Sequence, residues 1–106
     1  MKVDLSKVKL RDLDGNLLGD KEKGVGTHTS VARILYNKAT NLDLVDIALN
    51  MNKGLPVEMA ASHIQEMRKL VADPANGFFA FARKAIFEYL DDLEDAEKKK
   101  QAKKNK

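Results

Sequence analysis

Two stretches of this 106-residue chain carry residue types at spacings that could bind a ligand. Gly19 and Gly24 enclose four polar residues, the glycine spacing of a phosphate-binding loop. A working loop of that kind continues into Lys and Ser/Thr, which reach the phosphates and the magnesium ion. Val25 and Gly26 stand in those places, and no buried apolar strand precedes the loop. The segment therefore reads as a polar turn feeding a helix. Asp12, Asp14 and Asn16 around Gly15 have the oxygen-rich look of a calcium loop. A calcium loop of the EF-hand type needs glycine at its sixth position and an acid at its twelfth. Counting from Asp12, glycine comes at the fourth place and Lys23 at the twelfth. A hairpin turn uses the same residues.

Histidine and carboxylate chemistry is equally sparse. His28 and His63 are the only histidines, and cysteine is absent, which excludes disulfide, zinc-ribbon and thiol chemistry. His28 falls in a polar loop beside Thr27, Thr29 and Ser30, with no orienting acid in helical register. His63 lies between Met67 and Leu70 on the apolar side of its helix, the place of a core-edge histidine. The acids Asp91, Asp92, Glu94 and Asp95 crowd a solvated helix end, where a carboxylate has no reason to shift its pKa for acid–base work. No catalytic residue, cofactor site or metal site is expected.

The aromatic residues are less easily assigned to structure. Phe78, Phe79, Phe81, Phe87 and Tyr89, all four phenylalanines and one of the two tyrosines, fall in one helical segment. At 100° per residue, Phe87 lies on the side of Glu94 and Asp91, away from Ile86 and Leu90. Either an N-terminal hairpin covers it or another molecule does. Phe79 and Phe87, with Lys98, Lys99 and Lys100 of the C-terminal lysine run, are the candidate partner-binding residues.

The elements that would position these residues follow from periodicity. Val8 and Leu10 alternate with Lys7, Lys9 and Arg11, the pattern of a half-buried strand. Leu13 breaks that parity, Asp14 and Gly15 supply turn chemistry, and Leu17 and Leu18 begin a return strand, giving a hairpin within residues 2–20. Val3 and Leu5 suit a further extended piece. Helices are expected over about 29–39, with Thr27, Thr29 and Ser30 as alternative caps, and over 42–52, capped by Asn41. The second has a narrow polar face and is expected to be central. Pro56 confines any strand near Val57 to an edge or to a start after the proline. A third helix runs over about 60–72 and stops at Asp73 and Pro74. A fourth begins near Gly77 or Phe78, with Phe78, Phe81, Ala82, Ala85, Ile86, Tyr89, Leu90 and Leu93 taken as its inward stripe.

Composition fits one small domain: 43% of residues are hydrophobic and 33% charged, too apolar for a wholly disordered chain. The formal charge of +3 belongs to the body of the chain. Six acids in Glu88–Glu97 are offset by six lysines in Lys98–Lys106, so the basic pI is no sign of a DNA-binding face. No apolar run could span a membrane, and charges punctuate residues 1–20 where a secretory signal would need an apolar stretch. A cytoplasmic location and no membrane partner are expected. Residues 1–95 form the expected domain and 96–106 a disordered lysine-rich tail.

Lys2-Val3-Asp4-Leu5-Ser6-Lys7 leading to Asp12 through Asn16, then Asp43 through Ala48, then Val57-Glu58-Met59 and a helix, together resemble a family of small uncharacterised proteins of bacterial phages and prophages. Their genes often lie among structural or assembly genes. The resemblance covers residues 1–90 and has no catalytic motif. It departs at Ala60 and Ala61, where the family pattern has a polar cap, and in the lysine tail. It implies a bacterial, non-enzymatic accessory protein and transfers no functional residue. The expected fold is α+β: an N-terminal hairpin, joined in one reading by a third short strand, packed on about four helices. The expected function is protein–protein interaction or self-association in an assembly. The alternative is a nucleic-acid-binding accessory protein whose basic tail, with scattered arginines, binds weakly and without sequence preference.

Overall fold

A computed structural model describes residues 1–18 and 26–104, with side chains through Lys99. The architecture of the described residues is α+β: four α-helices and a two-stranded antiparallel sheet. The order is β1 (Lys2–Val3), α1 (Thr27–Lys38), α2 (Asp43–Asn52), β2 (Val57–Glu58), α3 (Ala61–Ala72) and α4 (Ala80–Lys104). The glycine pair resembling a phosphate loop lies outside the described residues.

The sheet is not the expected hairpin. β1 pairs with β2, Lys2 opposite Glu58 and Val3 opposite Val57. The Met1 ammonium extends the pairing by donating to the Glu58 carboxylate at 2.7 Å and to the Met59 carbonyl at 3.1 Å. The hairpin shrinks to one bridge, Arg11 to Leu17, closed by Leu18 N–H donating to the Leu10 carbonyl. Asp12 Oδ1 accepts from the N–H groups of Asp14 and Asn16, so this carboxylate shapes its own turn. Val8 and Leu10 are nonetheless buried, as their alternation requires. They reach the core as extended chain, and the Thr27 hydroxyl donates to the Val8 carbonyl.

Helix ends follow local chemistry. Gly26 caps α1, displacing Thr27 into the helix and into the core. Asn41 Oδ1 accepts from Asp43 N–H at the start of α2. Gly54, at φ 79°, ends that helix in the left-handed conformation that lacks a penalty only for glycine. Leu55 and Gly54 N–H return to the Asn50 and Met51 carbonyls. Asp73 ends α3 and caps a short turn over Pro74–Asn76, and Gly77, also left-handed, redirects the chain into α4. β2 begins directly after Pro56, as a residue without a donor N–H demands.

The core gathers Val3, Leu5, Val8 and Leu10 with Val31 and Leu35 of α1, Met51 of α2, Met59, Ile64 and Met67, and Ile86 and Leu90 of α4. α2 is not the central helix. It buries Leu44, Ala48 and Met51 and leaves Leu49, like Leu42 at its cap, to solvent, because it packs chiefly on one neighbour, α1. α4 begins at Ala80, later than its apolar pattern suggested, and buries Ala82, Ile86 and Leu90. Phe81 leaves the expected inward stripe: five residues before Ile86, it sits about 140° round the helix, and it is 46% exposed. Past Leu93, where a disordered tail from residue 96 was expected, the backbone stays helical through Lys104.

Candidate functional site

The first turns of α4 and the turn at residues 10–18 build one exposed apolar surface. Phe79 and Phe81 stack nearly parallel, ring centroids 5.9 Å apart and planes 9° apart. Both rings face solvent, Phe79 at 72% exposure. The glycine-directed entry explains the pair: Phe79 lies one residue before the helix, so it escapes the 100° step that would carry it away from Phe81.

An open hollow lies on each side of this stack. One is walled by Phe79, Phe78, Leu10 and Ile34, with Arg33 and Asn76 at its edge. The other is walled by Phe81, Leu13 and Leu18, with Arg11 and Asp12 beside them. Leu13, the residue that broke the strand parity, is fully exposed at 102%. Among the described residues neither Arg11 nor Arg33 has a carboxylate partner; Arg11 donates to the Gly15 carbonyl. Asn76 Nδ2 donates to the Leu70 carbonyl, while Asn76 Oδ1 is buried without a donor among the described residues.

The expected contact residues are thus separated. Phe79 belongs to this ledge. Phe87 does not: it is half-buried against the core, and the Arg68 guanidinium of α3 lies 5.6 Å from its ring centroid. No hairpin covers it; the cation does. Arg68 Nη2 also donates to Asp91 at 2.7 Å and Glu94 at 3.2 Å. Partial burial draws the Arg68 pKa down, but the hydrogen bonds and charges of Asp91 and Glu94 outweigh it and hold the guanidinium above the usual arginine value. Two of the crowded acids therefore share one cation of α3. Lys98 and Lys99 are exposed, and Lys100 continues the same helix, far along α4 from the ledge.

The histidines have structural surroundings. His63 Nδ1 accepts from Ala60 N–H at 3.1 Å, capping its own helix, and Nε2 lies 3.5 Å from Asp43 Oδ2. Accepting at Nδ1 requires the ring's lone pair there, which leaves Nε2 as the donor toward Asp43. Among the described residues no group of three or more His, Asp or Glu is placed to hold a metal ion. No described helix is long and apolar enough to cross a membrane.

The sequence did not reveal Phe81 and Arg33 beside Phe79, nor Leu13, Leu18 and Arg11 beside Phe81. The available signals were the broken parity at Leu13 and the wheel position of Phe81. Compared with family models, characterised proteins and solved structures, the chain finds no match.

Proposed function

We propose that this protein is a non-catalytic protein–protein interaction module, of the accessory or assembly type, that docks its partner on the Phe79–Phe81 ledge. The observation that carries this reading is the stacked, solvent-facing phenylalanine pair with Leu13 beside it. Singly exposed apolar residues are ordinary, but aromatic and aliphatic side chains gathered at apolar hollows suit a partner. Burying one such ring stabilises a complex by roughly 1.5–3 kcal/mol, and aromatic anchors dominate many interfaces. Phage or prophage origin is proposed on the sequence resemblance alone.

A photo-crosslinking residue placed at position 81 tests this in the producing cell, with position 53 on the far helix end as control. A discrete adduct, to a second copy or to another protein, is expected from position 81 only. Absence of any adduct, or equal adducts from both positions, counts against docking at the ledge.

A second reading keeps nucleic acid in view. The helical backbone through Lys104 carries Lys98, Lys99, Lys100, Lys103 and Lys104 along one continuous element, residues whose ammonium groups suit phosphates but not base edges.

A further inference from the structure

Resting on the docking reading above, we propose that the ledge takes an acidic peptide segment of a partner protein. The segment seats one apolar side chain in each hollow and sets carboxylates against Arg33 and Arg11.

The hollows dictate the anchors. Leu10 and Ile34 on one side, and Leu13 and Leu18 on the other, give aliphatic walls that suit alkyl or aryl side chains. The Phe79–Phe81 stack forms the ridge between them. The charges dictate what flanks the anchors. Arg33 edges the first hollow and Arg11 the second, neither holding a carboxylate among the described residues. In the turn beside the second hollow, Asp12 spends Oδ1 on N–H groups of that turn and Asp14 does not line the hollow, while the described wall of the first hollow holds no acid. A guanidinium next to an apolar hollow favours a bidentate carboxylate there.

A peptide fits better than a nucleic acid. The two rings already stack on each other, so no slot opens between them for a base, and the aliphatic walls offer nothing to a base edge.

The experiment is a selection of random dodecapeptides displayed on phage against the full chain, with a random single-stranded DNA dodecamer pool in parallel. Enriched peptides are expected to combine two apolar residues with an excess of Asp and Glu. They should lose binding to F79S/F81S and bind R11Q/R33Q roughly tenfold more weakly, while K53Q binds as the parent does. Peptides that need Phe79 and Phe81 but show no acid excess, and ignore R11Q/R33Q, overturn the acidic partner and leave the docking face standing. Enriched peptides indifferent to F79S/F81S, or no enrichment, overturn both. Retention of the DNA pool through the same phenylalanines overturns the peptide in favour of base stacking. Should F79S/F81S fold poorly, methyl shifts of Leu13 and Leu18 in the unmodified protein, on adding the best-enriched peptide, decide the location. Shifts at both leucines are expected, and unmoved methyls overturn the placement.

Discussion

The Arg68 guanidinium lies over the Phe87 ring and at the same time bonds Asp91 and Glu94, one and two turns further along α4. One side chain of α3 thus covers an aromatic ring and gathers two carboxylates that would otherwise repel each other near a helix end. The contact is both apolar and ionic, because arginine offers a flat weakly hydrated face and a fork of donors together.

Removing it should be felt in the fold. Arg68→Ala is expected to destabilise the domain by about 1–2 kcal/mol in chemical denaturation, the sum of a partly desolvated cation–π contact and two half-exposed ion pairs. Arg68→Lys should recover only part, since an ammonium cannot cover the ring and fork to both acids. Phe87→Ser should lower stability too, although Ile86→Ser, deep in the core, should cost more. An Arg68→Ala protein as stable as its parent would dismiss the clasp.

The ledge should behave in the opposite way. Phe79 and Phe81 face solvent, so F79S/F81S is expected to change stability by no more than ~0.5 kcal/mol. Thermal melts of the double variant beside Ile86→Ser check this. A loss comparable to that of Ile86→Ser would place the two rings in the core.

The helices were legible because their signals are local. Apolar positions in α1 to α3 recur at 3.6 residues, and Asp73 before Pro74 halts α3 where the backbone must leave the α region. The sheet was not legible: strands of two residues have no measurable period, and Val3 meets Val57 only through the folded core. The alternation at Val8 and Leu10 correctly marked burial but little strand pairing: Val8 N–H donates to the Leu5 carbonyl, the Val8 carbonyl accepts from the Thr27 hydroxyl, and only the Leu10 carbonyl accepts from the return segment, at Leu18. Phe87 was misplaced for a related reason. Its own helix surrounds it with acids, and the residue that covers it, Arg68, stands 19 positions earlier in the chain. Half of the ledge was legible in Phe79. The other half depended on Gly77 and on the turn that carries Leu13 beside Phe81, neither of which periodicity describes.

Glu66 provides a test by pH. Its carboxylate accepts from both the hydroxyl and the backbone N–H of Thr40, tying α3 to the connection between α1 and α2. Those hydrogen bonds, side-chain first and backbone second, hold the Glu66 pKa below the ordinary glutamate range. A carboxyl whose pKa is lowered by folding stabilises the native state above its unfolded value, and that contribution fades as pH falls through the folded value. Glu66→Gln should therefore melt below the parent at neutral pH, and the gap should close in acid. A gap that is constant with pH would mean that the carboxylate charge has no part in the contact.

The end of α4 gives the last prediction. The described core contacts of this helix end with Leu93, and beyond Glu97 only an alanine interrupts the polar residues. Helicity there rests on the upstream turns and on favourable acid-before-lysine spacing, which stabilises by only about 0.2–0.5 kcal/mol per pair. Truncation after Glu97 should leave the melting temperature nearly unchanged and lower the helical signal slightly. If the lysines bind nucleic acid, the full chain should retain single-stranded DNA at low salt, and the truncated chain should not. Counterion release makes such binding collapse toward physiological salt, with no preference among sequences because lysines address phosphates alone. Salt-resistant, sequence-selective binding that survives truncation would instead locate a nucleic-acid site in the domain body, and a drop of several degrees on truncation would show that the end of α4 docks on the core.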